Sequence, residues 1–503
     1  MDKHEKVQLV WFKRDLRIAD HRPLREAARR GRCLCLYVYE PEFIGAEDFD
    51  ACHLDFINES LRELRENLQQ RGGELLLRVG ALPDVFAALH REHSIEAIWC
   101  HQETGNQITY ARDTRVIRWC RDAGVAHHEI PQNGVVRRLK DRDGWSRTWS
   151  ARMSEPVLAV PDHIASVEVR DRGDYQTPPA FQLAPSTKHG VQPGGESIGK
   201  ETLRSFLNTR GKNYSSEMSS PVTAEESCSR LSPYIAWGCL SIKQIHQAAE
   251  RRSQAIRRQK SLGTAAEPGW LKSLAAFQGR LRWHCHFAQK LEDEPRIEFE
   301  NVNRAFDGLR EDEFNEAYFQ AWQRGETGYP MVDACMRSLH HTGWVNFRMR
   351  AMLVSFASYH LWLHWRRPAL YLAKQFVDYE PGIHYSQFQM QAGVTGINAV
   401  RIYSPIKQVQ DQDPEGRFIR RYVPELAEVP PEYLAEPHKM PPILQQDVGC
   451  VIGQDYPEPI VPHAAAYAEA KQRMYAFRKR AAVREQSQHV LQKHGSRRRM
   501  RRR

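Results

Sequence analysis

Two helical runs near the middle of the chain carry polar residues that their surroundings make costly. A turn at Gly328-Tyr329-Pro330 opens a helix with Met331, Val332, Cys335, Met336 and Leu339 on one face. A second turn at Thr342-Gly343 opens another, apolar except for Asn346, Arg348 and Arg350. A cation inside an apolar helix is expensive unless an anion meets it. Asp378 and Glu380 are the nearest candidates for Arg350, so a buried ion pair is expected, whether structural or functional. Upstream, Ser227-Cys228-Ser229-Arg230-Leu231-Ser232 sets hydroxyls and one cation before an apolar helix. Serines there commonly cap a helix; with Arg230 among them they also suit an anionic group.

The elements that must position these residues fall into two classes. The first ~130 residues alternate strand and helix, as in a parallel sheet with helices on its faces. Strands are predicted over 7–12, 33–39, 75–79, 96–101 and 125–130. Leu54, Ile57, Leu61, Leu64 and Leu68 predict an amphipathic helix that ends at Gly72-Gly73. Lys13-Arg14-Asp15-Leu16-Arg17, not a glycine-rich loop, follows the first strand, which argues against ordinary dinucleotide binding. The expected organisation is an α/β domain over 1–135, an interdomain connection over 136–200, rich in Pro, Gly and Ser from 165 onward, and a large all-helical domain over 201–440. An irregular extension over 441–470 and a basic tail over 471–503 follow, with a last helix expected near 462–485.

Composition narrows the class. No apolar run is long enough to cross a membrane, and the N-terminus lacks a signal-peptide core, so a cytoplasmic monomer is expected. The ten cysteines include no Cys-x-x-Cys pair, which favours reduced thiols over disulfides or metal ligation. The net charge of +10 is uneven: residues 471–503 hold thirteen Lys/Arg and one Glu, a charge of +12 that leaves the rest at −2. Such a tail is expected to be partly disordered, either as a solvated terminus or as a tether for polyanions such as DNA.

The order of four blocks resembles the photolyase/cryptochrome family up to about residue 440. They are Val10-Trp11-Phe12-Lys13-Arg14-Asp15-Leu16-Arg17, Ser229-Arg230-Leu231-Ser232-Pro233-Tyr234, the Trp322–Arg350 run with Asp378-Tyr379-Glu380, and Arg401-Ile402-Tyr403-Ser404-Pro405. The resemblance implies FAD held in the helical domain. Its phosphates would meet Tyr214, Cys228, Ser229, Arg230, Leu231 and Ser232, with Cys228 replacing the usual Thr. Its ring would lie beside Asn346, Arg350, Asp378, Glu380 and His384. His384 stands where repair members usually carry Asn; it would face the reactive ring nitrogen, although a lone His is more often a packing residue. The family also admits an antenna chromophore of folate or deazaflavin type, for which Glu103 is the sole hint. Its iron–sulfur branch is disfavoured, because only Cys450 lies beyond Cys335.

Several lesion-handling positions depart from the family pattern. Ser273 and Ala276 replace the usual Glu and Trp, Phe347 a common Asn, and Phe388 and Met390 two tryptophans. Arg348 and Gln278 remain as polar candidates against a substrate. Trp365 matches the middle member of the usual electron-supply series, whose flavin-proximal place is held by Phe388. The resemblance therefore implies light-driven electron transfer from reduced FAD to a pyrimidine dimer in duplex or single-stranded DNA. The alternatives are a cryptochrome-like photoreceptor without repair, and a dark nucleic-acid-binding flavoprotein.

Overall fold

The computed structural model describes residues 6–263 and 268–496. Five strands form one parallel sheet in the order β3-β2-β1-β4-β5: β1 Val7–Phe12, β2 Cys33–Tyr39, β3 Leu75–Val79, β4 Ile95–His101 and β5 Ala126–Ile130. Every residue of β1 and β2 is buried, as strands covered on both faces must be. The edge strand β5, Ala-His-His-Glu-Ile, is half exposed and carries polar side chains, which blunts its unpaired rim. Val7, Leu9 and Trp11 turn to one face, against Phe86, Leu89 and Val116. Val10 and Phe12 turn to the other, whose core continues through Leu54 and Leu61 to Trp237 and Leu240. That face is covered by the helical half of the chain.

The charged run after β1 is held by pairing. Lys13 meets Asp113 at 3.3 Å, and Asp15 accepts from His21 Nε2 and His101 Nδ1 at 2.9 and 2.7 Å. The stretch expected as a connection lies along the sheet domain: Cys33 N–H donates to the Ala165 carbonyl (2.7 Å) and Leu77 N–H to that of Arg172 (2.8 Å).

From Glu196 onward the described elements are helical, apart from an isolated bridge between Ile452 and Tyr456. The Trp270–Asp293 helix packs closely on the Pro381–Gln391 helix. At Gly382 a Cβ would come 2.7 Å from Ala288 Cα, so only glycine lets the two backbones approach this near. The Trp322–Arg350 run folds as expected into Pro330–Thr342, capped by Gly343 at φ +69°, and Phe347–Ser355.

The C-terminal stretch holds the expected last helix but packs more of the tail than expected. Residues 463–478 and 481–494 are helices, not free tail, and Ala470, Met474, Phe477, Val483 and Val490 are buried in the helical core. Phe477 stacks on Phe306 (5.6 Å, 18°). The arginines at 497–503 lie outside the described residues. Among the described residues, no helix is long and apolar enough to cross a membrane.

Candidate functional site: a buried arginine–carboxylate pair and its phosphate-type loop

Arg350 finds its anion in Asp378. The guanidinium fork donates from Nη1 and Nη2 to the two carboxylate oxygens at 3.0 and 2.8 Å, while Nε donates to the Val345 carbonyl at 2.8 Å. The Asp378 side chain is 2% exposed and that of Arg350 25%, so one flank of the cation remains open. Burial pushes the Asp378 carboxyl up. Arg350, the Ser232 hydroxyl and Arg230 outweigh it and hold it below the ordinary range. The bidentate geometry fixes orientation as well as charge.

Ser232 and Arg230, read from the sequence as phosphate-type residues, thereby join the pair. Arg230 adopts φ +59°, a left-handed conformation that a non-glycine residue keeps only when its surroundings impose it. Its guanidinium stacks on Trp344 at 3.8 Å. It has no carboxylate within ion-pair distance among the described residues. The loop before it is shaped by Arg210, a residue the sequence reading missed: Nη1 donates to the carbonyls of Glu226 and Cys228, both at 2.7 Å. Ser229 Oγ accepts from Leu231 N–H at 3.4 Å. Burial pushes the Cys228 thiol up to about 12, so it stays a neutral thiol. Tyr214 is buried against Phe206 and Phe277, and Leu231 is wholly core. Asn346 anchors the next loop through Nδ2, donating to the carbonyls of Met218 and Ser219, and leaves Oδ1 buried without a partner. An unmatched, strained arginine and an orphaned acceptor together fit a phosphate-bearing ligand with N–H or O–H donors.

Two expected ring contacts point elsewhere. Glu380 accepts from His284 Nε2 at 2.7 Å in a crevice between the halves, also lined by Arg14, Glu103 and Gln132. Burial opposes charge on His284, but the Glu380 carboxylate raises it to about 10. His384 Nε2 bonds the Ala369 carbonyl at 2.8 Å, and burial lowers it to about 4; it is a neutral packed imidazole tied to the Arg366–Gln375 helix. Trp365 is fully buried, donating to Asn301 Oδ1 at 2.8 Å. Glu103 is engaged by Arg112 at 2.6 Å and is not a free carboxylate.

Ser273 faces inward, its hydroxyl donating to the Lys212 carbonyl at 2.7 Å and accepting from Ser215 N–H at 3.1 Å. The outward surface nearby joins Phe347, one of the departures from the family pattern, to Trp283 and Arg280. Trp283 and Phe347 are 52% and 45% exposed, with the Arg280 guanidinium 4.9 and 5.3 Å from their ring centroids. Gln278 and Arg348 are half-buried on the same two helices, and Arg348 Nε has no partner. The Arg280–Trp283 spacing was the available signal.

The comparisons agree with this geometry. Residues 8–141 match the DNA photolyase family model and residues 277–476 the model for the FAD binding domain of DNA photolyase. The chain is 30% identical over 495 residues to the deoxyribodipyrimidine photo-lyase of Escherichia coli strain K12, covering 94% of this chain and 99% of that protein. The chain belongs to the photolyase/cryptochrome family. Within the family, it is also 28% identical over 489 residues to a cryptochrome DASH of Gloeobacter violaceus, covering 91% and 93% of the two chains. A bacterial class III photolyase from Agrobacterium tumefaciens superposes with a TM-score of 0.82 at 25% identity, covering 95% and 99%. The Arg350–Asp378 pair, Trp344 and Asn346 all lie within the stretch matched by the FAD-binding model.

Proposed function

We propose that this chain is a light-driven DNA-repair flavoprotein acting on pyrimidine dimers. The observation that carries the reading is the exposed Trp283–Arg280–Phe347 platform, one helical turn from Arg350. Exposed aromatic faces with a cation between them suit stacked bases and a phosphate. Bound FAD would supply the photochemical electron. Arg230, Ser229 and Ser232 would hold its phosphates, and Asp378, oriented by Arg350, would accept from its ring or ribose. Asn346 Oδ1 offers a second acceptor. Arg348 and Gln278 supply the remaining polarity toward a flipped base.

A photoreceptor without repair is the second reading, favoured by Ser273, whose hydroxyl is consumed internally where a lesion-binding carboxylate would stand. We place any antenna chromophore of folate or deazaflavin type at the crevice beside Arg14, Gln132 and His284. We further read the protein as a cytoplasmic monomer; its ten cysteines are all free and mostly buried. The test is blue-light repair of oligonucleotides bearing defined dimers, single- and double-stranded, by the pre-reduced protein. Repair that falls in Trp283→Ala and Phe347→Ala supports the proposal. Full flavin content with no repair of any dimer assigns the chain to the photoreceptor reading.

A further inference from the structure

Asp48 is a buried carboxylate without a cation. It is 4% exposed, and among the described residues no Lys, Arg or His nitrogen lies within ion-pair distance. Its partners are the phenols of Tyr379 and Tyr385, donating to Oδ2 at 2.5 and 3.2 Å, and Asn106 Nδ2 at 3.2 Å. The two phenol oxygens are 3.3 Å apart. An uncompensated buried charge is costly, and this one lies under the residue next to Asp378. We propose that Tyr379, Tyr385 and Asp48 form a proton-coupled electron relay that supplies electrons to the flavin of this chain in place of a tryptophan series.

The inference rests on the flavin reading above. Tyr379 gives one electron to the light-excited oxidised flavin. Its phenolic proton passes along the existing hydrogen bond to Asp48: the Tyr O–H bond breaks, an Asp48 O–H bond forms, and a neutral tyrosyl radical remains. An external thiolate returns one electron, and Asp48 returns the proton. In the resting state both phenols stay protonated, because burial and the neighbouring carboxylate push them well up. Oxidation makes the phenol a strong acid with a base already in contact.

Trp365 and Trp362 are less well placed. Trp365 donates to a neutral amide, Asn301, which is a poor base for its proton. Trp362 lies between two guanidinium groups, Arg310 at 4.4 Å and Arg473 at 4.0 Å, and an indole radical cation there is repelled by both. Phe388 supplies no oxidisable ring. Tyr385 is 6.4 Å from Trp365 between centroids, and Tyr379 is 5.1 Å from His384, so the phenols occupy the interval between Trp365 and the Asp378 loop.

The experiment illuminates the flavin-loaded chain with blue light. It reads radical identity by transient absorption and electron paramagnetic resonance, and Asp48 protonation by light-minus-dark infrared spectroscopy. The wild type should give a neutral tyrosyl radical with a new protonated-carboxyl band, slowed in D2O. Tyr379→Phe should lose the radical. Asp48→Asn, which keeps an acceptor of the same shape, should slow its formation about 100-fold, the usual effect of a positioned base, and lose the band. Trp365→Phe should change neither. A tryptophanyl radical abolished by Trp365→Phe, or an Asp48→Asn variant as fast as wild type, overturns the relay. A chain that takes up no FAD shows no flavin absorbance before illumination, which separates failure of the flavin reading from failure of the relay.

Discussion

Replacing Arg350 by Met should leave the Asp378 carboxylate buried and opposed only by Ser232 and Arg230. Breaking one side of a buried pair costs about 3–5 kcal/mol. Arg350 keeps a quarter of its surface open, which places the loss near the lower end, about 3 kcal/mol at pH 7. The pH dependence is the sharper signature. In the wild type the folded Asp378 carboxyl lies below its ordinary value. Its stabilising contribution is therefore present above the unfolded pKa of about 3.9 and is lost as pH falls through the folded value. Without Arg350, burial, the largest single influence already, is no longer outweighed and raises the carboxyl, so the variant gains stability on acidification. The difference between the two proteins should shrink from pH 7 toward pH 4.5. Urea denaturation of the flavin-free chains, followed by far-UV circular dichroism across that range, measures it. Arg350→Met/Asp378→Asn should recover most of the loss. A gap under about 1 kcal/mol at pH 7, the size of an exposed pair, or a gap constant with pH, would refute the assignment of Asp378 as a desolvated charge.

The His284–Glu380 contact has the opposite sign. With His284 raised to about 10, its contribution is full below the unfolded value of about 6.5 and declines as pH rises toward 10; His284→Gln should remove that slope from the denaturation midpoints. Removing residues 497–503 should leave flavin absorbance intact and flatten the salt dependence of DNA binding, each lost phosphate contact taking about 0.9 from the log–log slope. Removing 471–503 should instead lower the melting temperature, because Met474, Phe477 and Val483 leave the core; equal melting temperatures would contradict the described packing. Phe388→Trp should not abolish photoreduction with an external thiol. Replacement of a 3% exposed ring by a larger one is checked by flavin content before the rates are compared.

Much of this arrangement was legible because burial imposes strong constraints on sequence. Runs such as Val-Gln-Leu-Val-Trp-Phe in β1 are too apolar for anything but a central strand. Arg350 announced its partner through the cost of standing alone. The protein partners of Glu380 and His384, His284 and the Ala369 carbonyl, went unforeseen because they come from other helices that no local spacing connects to them. The last helix, expected near 462–485, is there as two, 463–478 and 481–494, and what went unforeseen was their burial against the helical core. Their charge dominated the composition, while the three- and four-residue spacing of Ala470, Met474 and Phe477 carried the structural information. Asp48 and its two phenols were invisible in the same way, being 331 and 337 residues apart.

The segment carrying Asp378 is fastened largely from outside the helical half. His53 bonds the Phe376 carbonyl at 2.9 Å, Trp237 that of Val377 at 2.9 Å and Arg14 that of Tyr379 at 2.9 Å, with Asp48 beneath. Three of these four supports belong to the first 53 residues. The sheet domain is thus a structural part of the Asp378 site: cut away, it would take with it most of the anchors that hold the carboxylate in place.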